Sequence, residues 1–179
     1  MAEPLTRTRW AYRALYVAIA GFLMFVRLLP LDTAPVSWPG PDLLLGVTFA
    51  WVLRRPDYVP ALLIAAVILL EDLLLMRPPG LWAVIVLVAS EFLRGRVALM
   101  REVNILTEWL MVSVVMFAAF IAYRLAFVLV VLPQPDFGFA LIRVLGSIVT
   151  YPLVVAVTAL VFGLRKTAPG EVDALGRRI

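Results

Sequence analysis

The amino-acid sequence predicts an all-α integral membrane protein, a compact bundle of six transmembrane helices with both termini cytoplasmic. Two observations carry this expectation: hydropathy and the placement of the basic residues. With 64% hydrophobic residues, 16% charged residues and a mean hydropathy of +1.01, the chain is far more apolar than an ordinary globular domain. Six apolar runs follow one another at 14–31, 41–53, 58–76, 81–93, 105–132 and 139–164. Twelve of the sixteen cations lie before the first run, at every second connection, or in the tail. These are Arg7, Arg9, Arg13, Arg54, Arg55, Arg94, Arg96, Arg101, Arg165, Lys166, Arg177 and Arg178. The intervening connections hold a single cation, Arg77. Short loops rich in Lys and Arg stay on the cytoplasmic side, so the alternation gives six spans with both ends inside.

The first run follows basic residues but lacks a small-x-small cleavage site, so it reads as a span rather than a signal peptide. Trp10, Tyr12 and Tyr16 are placed to anchor it at the inner interface. The second and fourth runs offer only about 13 apolar residues each, about 20 Å of helix. Short segments with Pro and Gly at their edges, flanking a common helix, can mark a transporter substrate site. The plainer reading, shorter helices packed inside the bundle, is favoured. Pro41 fits the first turn of the second helix, where its missing N–H would be unpaired anyway. The fifth run exceeds the hydrocarbon core and should tilt or project. Pro152 should kink the sixth. Small residues four apart (Ala14 and Ala18, Ala61 and Ala65, Ala118, Ala122 and Ala126) suggest close helix packing. Domain organisation follows: one six-helix unit over 1–166 and a short cytoplasmic tail over 167–179.

Six helices of about 20 residues use roughly 120 positions, which leaves no room for a soluble catalytic module. The net charge of +4 reads as orientation and lipid-headgroup anchoring rather than nucleic-acid binding. With no Cys and no His, thiol chemistry and the commonest metal ligand and general base are absent. No phosphate loop, nucleophile elbow or metal-ligand spacing occurs, so neither a cofactor nor an enzymatic activity is expected.

Charges inside the apolar runs are the functional lead. Arg27, Arg124 and Arg143 fall in the outer halves of their spans, as does the pair Glu71–Asp72. A charge in hydrocarbon costs about 2.5 to 3.5 kcal/mol on insertion scales, so such groups face protein, water or a partner ion. Adjacent helical residues point about 100° apart. One acid, Asp72 by preference, is expected to turn inward toward Arg27, Arg124 or Arg143, and Glu71 to approach the outer surface. Ser147 and Thr150 share a helical face with Arg143. Asn104, Thr107, Glu108 and Glu91 form a second polar group at the inner end. Two such clusters separated by apolar layers could be the gates of a small transporter or simply two interface belts.

The stretch 41–93 resembles the rod shape-determining protein MreD family of bacterial inner-membrane proteins. The residues that carry the likeness are Pro41-Asp42-Leu43-Leu44-Leu45, a break at Arg54-Arg55-Pro56, Leu69-Leu70-Glu71-Asp72-Leu73-Leu74, and Gly80 eight residues after Asp72. Gly40 stands where the family often has Arg, and Met76 where the first Gly of the pattern is expected. The resemblance implies a non-enzymatic subunit of the cell-elongation complex in the bacterial cytoplasmic membrane. Its implied partners are an MreC-like single-span scaffold, the filament protein MreB, the elongation glycosyltransferase and transpeptidase pair, and membrane lipid, with no nucleic acid. The implied fold is like the substrate-binding subunit of energy-coupling-factor transporters, and the implied site positions are Pro41, Asp42, Asp72 and Gly80. A polar outer cleft could receive the partner's transmembrane or juxtamembrane segment. The rival expectation is a small-molecule, vitamin-like binding subunit of a transporter, against which the aromatic and polar lining looks thin in sequence.

Overall fold

The computed structural model describes residues 3–29, 40–100, 103–131, 133–134 and 136–164. The tail 167–179 and the cations Arg101, Arg165, Lys166, Arg177 and Arg178 lie outside the described residues. All regular structure among those residues is helical: α1 (Glu3–Leu28), α2 (Leu43–Arg54), a 3₁₀ turn (Pro56–Tyr58), α3 (Ala61–Leu74), α4 (Leu81–Arg94), α5 (Val97–Met100), α6 (Ile105–Leu129) and α7 (Phe137–Val161). Three helices are long and apolar enough to cross a membrane: α1 over Arg7–Leu28, α6 and α7. At 12, 14 and 14 residues, α2, α3 and α4 reach only about 18–21 Å. The third apolar run loses its start to the 3₁₀ turn, and Pro60 fixes where α3 begins.

Helix starts follow local chemistry. Asp42, Asn104 and Asp136 are N-caps, their side chains accepting from the backbone N–H of Leu45, Thr107 and Phe139 at 3.2, 2.9 and 3.1 Å. Pro41 therefore lies outside α2, one residue before the cap, and not in its first turn as the sequence suggested. The α3 end is a Schellman motif, in which Arg77 N–H donates to the Asp72 carbonyl and Met76 N–H to that of Leu73. Met76, at the position that favours glycine, has φ +51°. It is 94% exposed, so glycine would be favoured there by backbone conformation, not by close helix contact.

Consecutive long elements alternate in direction. One end gathers the α1 and α3 C-termini with the α2, α4 and α7 N-termini through contacts among Arg27, Asp42, Glu71, Asp72 and Arg143. The opposite end brings Arg9 and Arg13 to Asp57, Arg54 to Glu108, and Arg94 to the Pro56 and Val59 carbonyls. The centre is α2, buried at every residue from Leu44 to Arg54, as expected of a helix apolar all round. It packs most closely on α7, where a Cβ on Gly46 would meet Val154 at 3.6 Å and one on Gly146 would meet Pro41 at 3.7 Å. The alanine stripes serve this purpose only in part, since Ala61, Ala65 and Ala126 are half-buried. Ala14, Ala18, Ala118 and Ala122 are exposed, and the outer faces also show Phe22, Leu62, Val114 and Leu153. Such a continuous apolar surface suits lipid, not water.

Tyr16 is fully buried, not at an interface; its hydroxyl donates to Thr48 Oγ1 at 2.9 Å, linking α1 to α2 in mid-bundle. Trp10 is 63% exposed, while Tyr12 stacks on Tyr58 with ring centroids 4.5 Å apart. Helix α7 runs through Pro152 without interruption.

Candidate functional site

The eight residues singled out from sequence all lie at one end of the bundle. Asp42 is the hub. Its Oδ1 caps α2 and lies 3.3 Å from Arg27, while Oδ2 accepts from Arg143 at 2.7 Å. Its own N–H donates to Ser147 Oγ at 2.7 Å, and that hydroxyl donates back to the Arg143 carbonyl. Arg27 also bonds Glu71 Oε1 and reaches the Pro41 carbonyl at 3.4 Å. The network thereby joins α1, α2, α3 and α7. Hydrogen bonds between ionised partners are the strong ones, and burial of both acids makes them costly to leave unpaired.

Asp72 turns into the bundle as expected, but so does Glu71, and it is Glu71 that meets Arg27. Glu71, at 1% exposure, faces Arg27 inside the bundle and does not approach the outer surface. Asp72, fully buried, does not turn to Arg27, Arg124 or Arg143; its Oδ2 accepts from Gly80 N–H and Ala83 N–H, each at 3.2 Å. Asp72 thus caps α4 from α3, across the turn. Gly80, at φ +85°, adopts the left-handed conformation that turns the chain into α4, so that its own N–H and that of Ala83 both reach the carboxylate. Arg124 lies at the same end, with its guanidinium 5.0 Å from the Phe137 ring centroid and 6.0 Å from that of Phe120. Thr150 bonds back to the Gly146 carbonyl of its own helix.

Sequence reasoning did not select Arg77, which approaches Glu71 Oε2 at 3.9 Å and Asp72 Oδ1 at 4.0 Å. Its position just after the acidic pair on a helix-ending turn was the available signal. Beside the network lies a cavity of about 280 Å³ lined by residues of α2, α4, α6 and α7, with Arg77 and Gln134. Its walls include Trp82, Phe120, Tyr123, Phe127 and Phe139. The aromatic lining that looked thin in sequence is assembled from three helices. Each contributes its aromatics near its own end, where they resemble interface residues.

The second polar group differs from its expectation. Glu108, fully buried, accepts from Arg54 at 2.7 Å and from the Tyr151 hydroxyl at 2.9 Å. Arg54, 5% exposed, is a core residue and not a headgroup anchor. Glu91 pairs with Arg94 one turn along at the surface, and Asn104 and Thr107 bond each other, so neither joins this trio. Between the clusters lies an apolar layer around Phe49, Ile64, Ile68 and Val112. Among the described residues no group of His, Cys, Asp or Glu is arranged to hold a metal ion. The fold and site define a helical bundle with membrane-length helices and one open, charged end. Comparison with protein-family models, curated proteins and solved structures finds no match to this chain.

Proposed function

We propose that the chain is a non-enzymatic, multi-pass subunit of the bacterial cell-elongation complex in the cytoplasmic membrane, similar to the MreD family. In this reading α1, α2, α3, α4, α6 and α7 make six spans with both termini cytoplasmic, and the Asp42 end faces outward. The short α2, α3 and α4 are accommodated by local thinning of the bilayer and by polar ends reaching the interface. An MreC-like single-span scaffold docks at the open end, beside the Asp42 network, and the complex supports peptidoglycan synthesis with MreB and the glycosyltransferase and transpeptidase pair.

One observation carries the proposal: residues of the resembling motif, Pro41, Asp42, Asp72 and Gly80, build the open end. Asp42 and Asp72 fix the helix starts there, so the motif shapes the surface a partner would meet. Co-expression with the single-span scaffold and affinity purification tests this. Phe139→Asp, at the cavity rim and 44% exposed, should lose the scaffold while the protein itself is recovered normally. Scaffold yield equal to that of the unaltered protein would overturn the docking site. Cysteines placed at Arg55 and Gln134 of this Cys-free chain should be labelled from opposite sides of the membrane.

The cavity also favours a second reading, a solute-binding subunit of a transporter, because its volume of about 280 Å³ lies just under the low end of ordinary ligand pockets, about 300 Å³, and its walls are largely aromatic. A solute retained through purification in place of a single-span protein would support it.

A further inference from the structure

The cavity beside Asp42 is balanced in charge but unbalanced in hydrogen bonding. Arg27, Arg77 and Arg143 stand against Asp42, Glu71 and Asp72, and Arg124 has an interaction of its own. A bound ion would upset that neutrality among apolar helices, where charge is expensive. On the wall around Asp42 the acceptors are already in use. Asp42 Oδ1 takes the Leu45 N–H and lies 3.3 Å from Arg27, its Oδ2 takes Arg143, and Ser147 Oγ accepts from the Asp42 N–H. The donors are not used up. A guanidinium carries several N–H groups in a planar fork and accepts nothing, and Arg143 bonds only Asp42. Arg77 meets the Glu71 and Asp72 carboxylates at 3.9 and 4.0 Å, beyond ordinary hydrogen-bond length. Gln134 and Tyr123 add groups that both donate and accept. Arg77 and Arg143 both line the cavity, so its polar side offers donors to an uncharged acceptor.

The facing walls are aromatic. Trp82 meets Tyr123 edge-on with ring centroids 5.4 Å apart, and Tyr123 meets Phe127 at 4.8 Å. This run of rings joins α4 to α6, and Phe120 and Phe139 line the cavity with it. Ring faces and edges attract another ring in offset or edge-to-face contact; an alkyl chain filling the same volume would make no such contacts. The volume of about 280 Å³ suits a small ligand, on the order of two fused rings.

We infer that the cavity binds a small uncharged aromatic compound with a carbonyl acceptor, its ring among Trp82, Tyr123 and Phe127 and its oxygen toward Arg77 and Arg143. The inference rests on the solute-binding reading and names the class of solute. It concerns the isolated chain, so it is tested separately from scaffold docking.

Purified protein in a non-ionic maltoside detergent would be titrated with tritiated 2-acetylnaphthalene, with bound ligand read by scintillation proximity and unlabelled compounds added as competitors. The expected result is saturable one-to-one binding. The competitor 2-ethylnaphthalene has nearly the same shape without the oxygen and should bind at least tenfold more weakly, because the donors lose water and gain no acceptor. The ions 2-naphthoate and 2-naphthylmethylammonium should each be at least tenfold weaker, as should 2-undecanone, a ketone without a ring. Equal competition by 2-ethylnaphthalene would overturn the acceptor, by either ion the neutrality, and by 2-undecanone the aromatic requirement. Arg77→Met should weaken 2-acetylnaphthalene several-fold and leave 2-ethylnaphthalene unchanged; an equal loss for both would overturn the donor role of Arg77. Because that change also touches the surroundings of Glu71 and Asp72, Ala140→Trp provides a second variant, filling the cavity from α7 without removing an ion pair. It should abolish binding at an unchanged unfolding temperature. Undiminished binding by that folded variant, or no saturable binding by the unaltered protein, would overturn the inference. A charged or acyclic solute retained through purification would keep the solute-binding reading and overturn the inference alone.

Discussion

At one end of the bundle Arg54, Glu108 and Tyr151 are sealed from solvent, each no more than 5% exposed. At the other, Arg27 and Arg143 have side chains 23% and 34% exposed while the carboxylates they serve are buried. Both ends solve one problem, placing charge among apolar helices, but by different means. The sealed trio pairs one cation with one acid and adds a phenol, so it fastens α2, α6 and α7 together. The open end spreads its charge over four helices and a turn and leaves arginines facing a cavity. The difference is one of solvent access: the sealed trio is closed, whereas the open end keeps arginine side chains within reach of the cavity.

That contrast can be broken by substitution, and the largest effect belongs to the sealed end. Glu108→Ala leaves the buried Arg54 without that carboxylate and should cost about 3–5 kcal/mol, read as unfolding in mixed detergent micelles. Glu71→Ala at the open end should cost less, about 1–3 kcal/mol, because Arg27 keeps Asp42 at 3.3 Å and partial exposure. Equal costs for these two variants would mean that solvent access does not separate the ends.

Asp72→Ala tests the trans-helix cap. Removing an acceptor of two N–H groups should cost about 1–2 kcal/mol, and Asp72→Asn should recover part of it, since an amide oxygen still accepts. Hydrogen exchange confined to the first turn of α4 would locate the effect. A smaller gain is expected from Met76→Gly, which removes a left-handed strain of about 1 kcal/mol, partly offset by glycine's larger unfolded-state entropy. No stabilisation in the same micelle assay would remove the Schellman argument.

How much was legible in sequence depended on whether the signal was local. Apolar runs and the identity of the charged residues were read along the chain, since each rests on neighbours within a turn; the caps at Asn104 and Asp136 are equally local but emerged only in the structure. The candidate residues do gather at one end, because charges within apolar runs have few other places to go. The division of labour between Glu71 and Asp72 was not legible. It depends on α4 starting beneath Asp72 through the left-handed Gly80, and a helix wheel for α3 contains no such information. The alanine spacing was incomplete for the same reason: periodicity gives a stripe, and only packing says that Ala61 and Ala65 are half-buried while Ala14, Ala18, Ala118 and Ala122 face outward.

The chain alone determined that these segments are helices too apolar for water, with arginines at alternate connections and acids where hydrocarbon would not tolerate them alone. Tertiary structure decided that α2 is the enclosed centre, that Arg54 is core, and that Asp42 joins four helices around an open cavity. The physical reason is range. Hydropathy and capping act between residues a few positions apart, whereas a buried carboxylate finds its arginine more than a hundred positions away, as Asp42 finds Arg143.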